Sequence, residues 1–510
     1  MGLYDLTFYD VICRNAVCYR NKSAWVEAEN GSEMTFSCYR GRVDRLARGL
    51  QKKGIGHHDR IGVVGKNSAE YFLLYGAAAA IGAVMLPVNW RLSVSEMLFN
   101  LNDCGPRIIF ADPEFHGALN ECKEKLSSAP VLCSLKEGSA GFEDINTLMN
   151  NGGDFARPDV ASGDGFVIIH TAAVAGRPRG ALLSHSNLLC ANAQFTDCLG
   201  LTGKDVHLNL LPMFHIAGLA TMASAFQAGA LNVNLSRFDA AKAMALIENR
   251  GATFFFSFAP ILGNLLDQQS KSGGSLRTLR AVIGLDVPQV IQKYQDISGG
   301  TFYSFYGQTE TSCIATVSPY NDRPGAAGLP IVLGDVRVVD ENDLPVAVGQ
   351  TGEIVMRGPM VFKGYWGLED DNKYTFRNGW HHTGDLGRFD EDGFLWFAGR
   401  KPEKELIKPG GENVYPAEVE NAVLLHPAVE KCVVIGVPDP KWKEGIKAVC
   451  QLREGSSLTA AELIKFVSTR IASYKKPQYV QFVSEIPLKI DGTPDRNKTK
   501  ELYGGEQKTA

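Results

Sequence analysis

Several absences narrow the field before any motif is considered. The eleven cysteines are scattered singly, with no CxxC pair and no metal-ligand spacing. Neither a disulfide framework nor a zinc module is expected; such thiols are ordinarily small buried hydrophobes in a reducing compartment. The net charge is only -4, which leaves no basic footprint for nucleic acid. The longest apolar run, Leu74–Val88 (LYGAAAAIGAVMLPV), is shorter than the ~20 residues that span a bilayer, so no transmembrane segment is expected and the run reads as a buried helix. The opening MGLYDLTFYDVICRNA has early acidic residues and no apolar core of a secretory leader. Leu6 occupies the position where a myristoylation signal wants Ser or Thr. Gln507–Ala510 match no peroxisomal or prenylation signal, and no repeat occurs at a solenoid period. A cytoplasmic protein is expected.

At 510 residues, 45% of them hydrophobic and 21% charged, the chain is an ordinary globular composition too long for one core, since cores stop growing near ~250–300 residues. Strand-like runs alternate with helical patterns over the first four hundred residues. Arg60–Val64 precedes the amphipathic Ser68–Ala83, Pro106–Phe110 precedes Ala111-Asp112, and Gly165–Ile169 precedes a loop and the helix-like Ser186–Phe195. This rhythm predicts parallel βαβ layers. After Glu430 the pattern tightens into Cys432–Val437, Ala448–Leu452 and a helix over Ala460–Tyr474, a compact α+β unit. The predicted fold is therefore α/β, with a large N-terminal domain over 1–399 and a small α+β C-terminal domain over 400–510. The boundary falls at Gly399-Arg400, where the Phe394–Phe397 strand meets the charged crossing Lys401–Glu405.

The richest stretch is GWHHTGDLGRFDEDGFLWFAGRKPEKELIKPGGENVYPAEVE, Gly379–Glu420, together with Tyr306-Gly307-Gln308-Thr309-Glu310 upstream. These segments resemble the adenylate-forming superfamily of acyl-CoA synthetases, luciferases and peptide-synthetase adenylation domains. The GGENVYPAEVE run is most similar to the acyl-CoA synthetase branch, including its long-chain fatty-acid–CoA ligases. The resemblance runs from Leu6 to about Arg496. Its chemistry is coherent: a carboxylate cannot acylate a thiol directly because oxide is a poor leaving group, and activation through AMP supplies a better one, with magnesium and fixed cations balancing phosphate charge.

The resemblance implies roles residue by residue. Glu310 would hold Mg²⁺, Thr309 would contact phosphate, and Tyr306 and Gly307 would lie near adenine, with Gly284 in the adenine-pocket wall. Asp385 would accept both ribose hydroxyls, a bidentate task suited to a carboxylate, and Arg400 would be the second nucleotide anchor. His215, in Leu211-Pro212-Met213-Phe214-His215, would stand beside the acyl site, with Phe256–Pro260 and Phe305 shaping a compact or aromatic pocket. Gly410 and Gly411 would line the tunnel for the slender arm of coenzyme A; the same glycines also suit a tight turn before a helix opened by Pro416. The stretch 400–405 would be a hinge, with Lys404 favoured over Lys401 and Lys408 as the pivot. ATP/AMP, Mg²⁺ and coenzyme A are the implied cofactors and a small carboxylic acid the partner. A homodimer through the large domain would leave the small one free to move.

Two motifs depart from the family pattern. The phosphate loop, normally rich in Ser, Thr and Gly, reads His170-Thr171-Ala172-Ala173-Val174-Ala175-Gly176-Arg177-Pro178-Arg179-Gly180. Thr171 keeps the only hydroxyl in its centre, while Gly176 and the basic Arg179 preserve the loop's ending. Hydrogen bonds to charged groups contribute roughly 1.5–3 kcal/mol each, so the grip on triphosphate should weaken, partly offset by Arg177 and Arg179. Near the C-terminus Thr493 stands where relatives carry a lysine that reaches the α-phosphate; Lys489, earlier in that loop, is the candidate replacement. Both losses fall on adenylate formation, which is expected to be slow relative to thioester formation, or tuned for the reverse direction. The reading is an AMP-forming carboxylate–CoA ligase. Transfer of the acyl group to an amine or carrier protein, or a degenerate ligase acting as a binding protein, are the alternatives.

Overall fold

A computed structural model of the protein describes residues 2–150, 155–174, 177–401, 406–440, 442–489 and 494–505. The chain forms two compact units. The first comprises Met1–Trp90, Leu101–His170 and Gly180–Gly399; the second comprises Arg91–Asn100, Thr171–Arg179 and Arg400–Ala510. Two short stretches that the sequence reading placed in the N-terminal domain thus belong to the second unit. The architecture is mixed α/β with a large N-terminal and a small C-terminal part.

In the first unit, Arg60–Val64 lies between Val84–Val88 and Ile108–Ala111, all three parallel, within an eight-stranded sheet. These strands are buried almost throughout, as expected where crossover helices cover both faces of a parallel sheet. The helix Ala69–Ile81 is one such crossover. Ser68 caps it by accepting from the Tyr71 amide, and Gly82 ends it at φ 71°. The apolar run Leu74–Val88 is consequently not one helix: its second half is the strand Val84–Val88, because hydrophobicity reports burial and not element type. A second correction falls at the phosphate loop. The strand begun at Gly165 runs on to Val174, and Arg177–Ser184 is a further strand beside it, so most of the stretch read as a loop is strand and the helix His185–Leu199 starts only after it.

A nine-stranded sheet carries the neighbouring order Thr301–Tyr306, Ala281–Leu285, Phe254–Phe258, Val206–Asn209 and Leu231–Asn234, these five parallel. Tyr39, Phe72, Phe166, Phe226 and many aliphatic side chains fill one large core, and Phe255, Leu265, Val282 and Phe302 a smaller one. A four-stranded antiparallel sheet, Asp335–Val339, Gly352–Arg357, His381–Phe389 and Leu395–Arg400, completes the unit.

The second unit has its own core around Ile407, Val419, Val434, Ile446 and Leu463. Val429–Asp439 and Lys443–Leu452 pair antiparallel, and Tyr479–Val483 adds parallel to the latter. Pro416 opens the helix Pro416–Leu424 as its residue type favours. The helix expected over Ala460–Tyr474 is shorter, Ala460–Ser468, with a separate turn at Ser473–Lys475. Lys475 is buried between two carboxylates: it donates to Glu96 Oε1 at 2.5 Å and also to Glu418. Among the described residues no helix is long and apolar enough to cross a membrane.

Candidate active site

In an open parallel sheet, ligand-binding groups collect on the loops leaving the carboxyl ends of the strands. The candidate residues of the first unit follow that rule. His215 follows Val206–Asn209, Phe258 ends Phe254–Phe258, Gly284 is next to last in Ala281–Leu285, and Tyr306 ends Thr301–Tyr306. The register Ser257↔Gly284 and Phe258↔Leu285 places two of these ends side by side.

The Tyr306–Glu310 segment leaves its strand through a constrained turn. Gly307 is obligatory there, since a Cβ would stand 1.8 Å from the Cys313 carbonyl oxygen. Thr309–Thr311 forms a short 3-10 turn, closed by the Gln308 amide donating to Thr311 Oγ1 at 3.0 Å. Ser312 and Cys313 then adopt φ of 52° and 102°, a conformation costing on the order of 1–3 kcal/mol for each such residue. The surroundings hold it in place: Ser312 Oγ donates to the Met360 carbonyl at 2.7 Å, and the Phe362 amide donates to the Glu310 carbonyl at 2.9 Å. The Glu310 side chain, only 5% exposed, accepts the Tyr365 hydroxyl on Oε1 at 2.8 Å.

Asp385 is brought to this segment from a different sheet. The buried Tyr306 hydroxyl donates to Asp385 Oδ2 at 2.8 Å and accepts from Gln308 Nε2 at 3.3 Å. Burial, with the Asp385 charge beside it, pushes the Tyr306 hydroxyl well above its ordinary pKa, so it remains a neutral donor. The expected Thr-Gly-Asp turn is part of the strand His381–Phe389, irregular where Gly384 takes φ 65°, and behind Asp385 this strand is braced. Gly384 N donates to Glu353 Oε1 at 2.9 Å, and Thr383 Oγ1 donates to the Ile354 carbonyl at 2.6 Å. Glu353 Oε2 also receives Arg377 Nη2 at 3.1 Å and pairs with His382 Nδ1 at 3.0 Å. Arg377 continues to Asp343, whose carboxyl stands below its usual range: burial opposes ionisation, but hydrogen bonds from Arg377 and Asn378 outweigh it. Asp343, Glu353 and His382 together have the look of a metal-ligand set, yet the Arg377 guanidinium supplies the positive charge between the two carboxylates.

His215 is half-buried at the head of the helix Ile216–Ala228, its ring 4.6 Å from that of Phe214 and its side chain not capping the helix. The preceding loop is pinned by Asn67, which donates to the Leu211 carbonyl and accepts from the Met213 amide, both at 2.8 Å. Phe256, Phe258 and Phe305 form an aromatic cluster: Phe256–Phe305 centroids lie 5.0 Å apart edge-to-face, and Phe258–Phe305 6.3 Å. Gly284 admits no side chain, since a Cβ would meet the Ser257 carbonyl oxygen at 1.9 Å, whereas Leu285 is 42% exposed.

The remaining predicted residues belong to the second unit. Thr171 Oγ1 donates to the Arg179 carbonyl at 3.3 Å, so this hydroxyl is engaged by the neighbouring strand. Gly410 adopts φ 58° beneath the Trp442 indole, and Gly411 lies in the same short turn. Arg400 ends the strand Leu395–Arg400. Lys489 is exposed. Gly176, Lys404 with most of the expected hinge, and Thr493 lie outside the described residues. Tyr365, Glu353 and Arg377 were missed by sequence reasoning; no local signal marks them, because their partners are far away in the chain.

Comparison with known proteins places this geometry in a family. The AMP-binding enzyme model matches residues 13–366, and the AMP-binding enzyme C-terminal domain matches residues 418–493. The chain belongs to the AMP-binding enzyme family. It is 31% identical over 500 residues to the indoleacetate–CoA ligase of Aromatoleum aromaticum, covering 94% of this chain and 98% of that one. A Rhodopseudomonas palustris protein, provisionally described as a long-chain-fatty-acid CoA ligase, is 42% identical over 78% of this chain and all of its own, with a TM-score of 0.75. The o-succinylbenzoate CoA synthetase of Bacillus subtilis, solved as a double mutant with a product analogue, superposes with a TM-score of 0.86 at 25% identity over 98% of each chain. The AMP-binding family thus defines an adenylate-forming enzyme, and the relatives named here are acid–thiol ligases that make acyl-CoA.

Proposed function

We propose that the protein is an AMP-forming carboxylate–CoA ligase whose acid carries an aromatic group. One observation carries the assignment of the site: the buried Tyr306–Asp385 hydrogen bond joins the strained Glu310 turn to the Thr383-Gly384-Asp385 segment of a strand in another sheet. Asp385, held from behind by Thr383 and the Glu353 brace, presents a fixed carboxylate to a ribose diol. Tyr306 stays protonated and keeps Asp385 oriented. Glu310 is a hard oxygen ligand of the kind Mg²⁺ takes from protein, usually one or two carboxylates alongside substrate phosphates; the ion, when bound, offsets phosphate charge. Tyr365 aims the Glu310 carboxylate by holding one oxygen. Gly284 keeps the backbone clear of the purine, and His215 lies beside the acid. Thr171, Arg179, Gly176 and Arg400 are assigned to nucleotide phosphate and ribose, Gly410 and Gly411 to the pantetheine arm, and Lys489 to the α-phosphate in place of the lysine that Thr493 replaces.

The aromatic cluster Phe256, Phe258 and Phe305 supports an aryl acid, since rings pack edge-to-face on rings with about 0.5–1.5 kcal/mol beyond area burial. The weakened phosphate loop supports slow adenylation. Mass spectrometry of the protein with ATP, Mg²⁺, coenzyme A and a panel of aryl and alkyl carboxylic acids tests both points. The expected products are AMP and an aryl-CoA thioester. Preference for long alkyl acids would overturn the substrate class, and product formed only with an amine or carrier protein would overturn the ligase.

A further inference from the structure

The second unit contains two cysteines, Cys432 and Cys450. They sit on adjacent antiparallel strands and are direct register partners, Cys432↔Cys450. Both side chains project into the same apolar core, with Ile407, Val434 and Ile446, and their sulfurs are 3.7 Å apart. Directly opposed residues of an antiparallel pair have Cα atoms about 4.5–5.5 Å apart, inside the ~4.4–6.8 Å range that disulfides occupy. Closing the sulfurs from 3.7 Å to a bond of about 2.05 Å therefore asks for side-chain rotation and no strand movement. The two thiols differ in access: Cys432 is 6% exposed and Cys450 is 0% exposed.

We propose that Cys432 and Cys450 are a peroxide-reactive pair, with Cys432 the sulfur that is oxidised first and Cys450 the one that resolves it into a disulfide. The Cys432 thiolate attacks one oxygen of hydrogen peroxide; the O–O bond breaks, leaving a Cys432 sulfenic acid and, after protonation, water. The Cys450 thiolate then attacks the Cys432 sulfur; the S–O bond breaks and hydroxide leaves, taking up a proton to give a second water. Two thiols and one peroxide yield one disulfide and two waters, the sulfurs giving up two electrons and the peroxide accepting them. Access to the pair is restricted to small oxidants, because a buried sulfur excludes a tripeptide disulfide such as oxidised glutathione. Burial also pushes the Cys432 thiol far above its ordinary pKa, Cys450 and Glu420 adding to the rise and Arg496 opposing it, so the reaction is slow. The remaining nine cysteines lie in the first unit, and Cys18 and Cys38 are exposed there as internal references for unselective oxidation.

The test is peptide mapping of the intact protein after peroxide treatment, unfolding and alkylation. A Cys432–Cys450 linked peptide is expected from peroxide and none from oxidised glutathione at the same concentration. In Cys450→Ala, dimedone should label Cys432 as sulfenic acid, and in the wild type it should not. Recovery of both residues as alkylated thiols, after peroxide has consumed Cys18 and Cys38, would overturn the pair. Linkage by oxidised glutathione, or dimedone labelling of Cys450 in Cys432→Ala without labelling of Cys432 in Cys450→Ala, would overturn the assigned order. If the Cys450→Ala protein fails to fold, the wild-type map still decides.

Discussion

Replacing Tyr365 by Phe removes one oxygen and nothing else from the site. The ring is retained, with its edge-to-face contact to Phe362 at 4.9 Å, so packing should survive. What disappears is the hydroxyl that donates to Glu310 Oε1 at 2.8 Å, between side chains that are 2% and 5% exposed. A hydrogen bond to a charged group contributes about 1.5–3 kcal/mol, and each 1.36 kcal/mol is tenfold in rate. If the bond serves to aim Glu310 during adenylation, the loss is about 10- to 150-fold in the rate of pyrophosphate release at saturating acid. Thioester formation from supplied acyl-adenylate should change much less, because phosphate charge is no longer being rearranged. The assay is a coupled pyrophosphate measurement beside a single-turnover thioester measurement, with a melting curve as control. A pyrophosphate rate within twofold of wild type, in a protein that melts normally, would refute the argument that Tyr365 positions Glu310.

Other outcomes follow from the same geometry. Glu353→Gln should weaken AMP binding about tenfold or more by loosening the strand at Gly384 beside Asp385; an unchanged AMP affinity by calorimetry would discount the brace. Gly307→Ala should lower the melting temperature and abolish activity, since its Cβ would stand 1.8 Å from the Cys313 carbonyl oxygen; a soluble, active variant would contradict the turn. Lys475→Met leaves Glu96 and Glu418, their side chains 13% exposed, without their shared cation and should cost the second unit about 3–5 kcal/mol in denaturant unfolding; a cost below about 1 kcal/mol would count against the triad. Glu418 gives a pH signature: burial first, opposed by Lys475 and reinforced by Glu96, lifts its pKa from 4.5 to about 7. The fold then holds a proton there that the unfolded chain has lost. This contribution is complete below pH 4.5 and is lost as pH rises through about 7, with a slope of at most about 1.4 kcal/mol per pH unit. Glu96, shifted downward, acts only below that window. Glu418→Gln should remove this falling component between pH 5 and 7, and a variant whose slope of stability against pH in that window equals the wild type's would contradict the sign.

Much of the site was legible because its chemistry is packed into contiguous segments. Tyr306–Glu310 read as a strand end followed by a polar turn and is one, whereas Thr383–Asp385 read as a turn but lies inside the strand His381–Phe389, where Gly384 takes φ 65°. The parallel strands could be read from β-branched runs alternating with helical patterns. What escaped was long-range. Tyr365 reaches Glu310 from 55 positions away, and Arg377, Asp343 and Glu353 meet only through an antiparallel sheet whose register no local pattern announces. Two element errors have separate physical origins. Leu74–Val88 is uniformly apolar because both a helix and a strand are buried there, and only Gly82 marks the change. Arg177–Ser184 carries Pro178 and Gly180, which suggest a loop, yet it is a strand paired near the sheet edge beside Gly364-Tyr365, where such residues are tolerated.

The most direct measurement is rapid-quench separation of the two half-reactions with the best acid from the panel. An acyl-adenylate that forms with ATP and Mg²⁺ in the absence of coenzyme A, more slowly than supplied adenylate is converted to thioester, and that is lost in Asp385→Ala, is the predicted result. Adenylate formation at or above the thioester rate would contradict the weakened first step, and adenylate formation undiminished in Asp385→Ala would contradict the site itself.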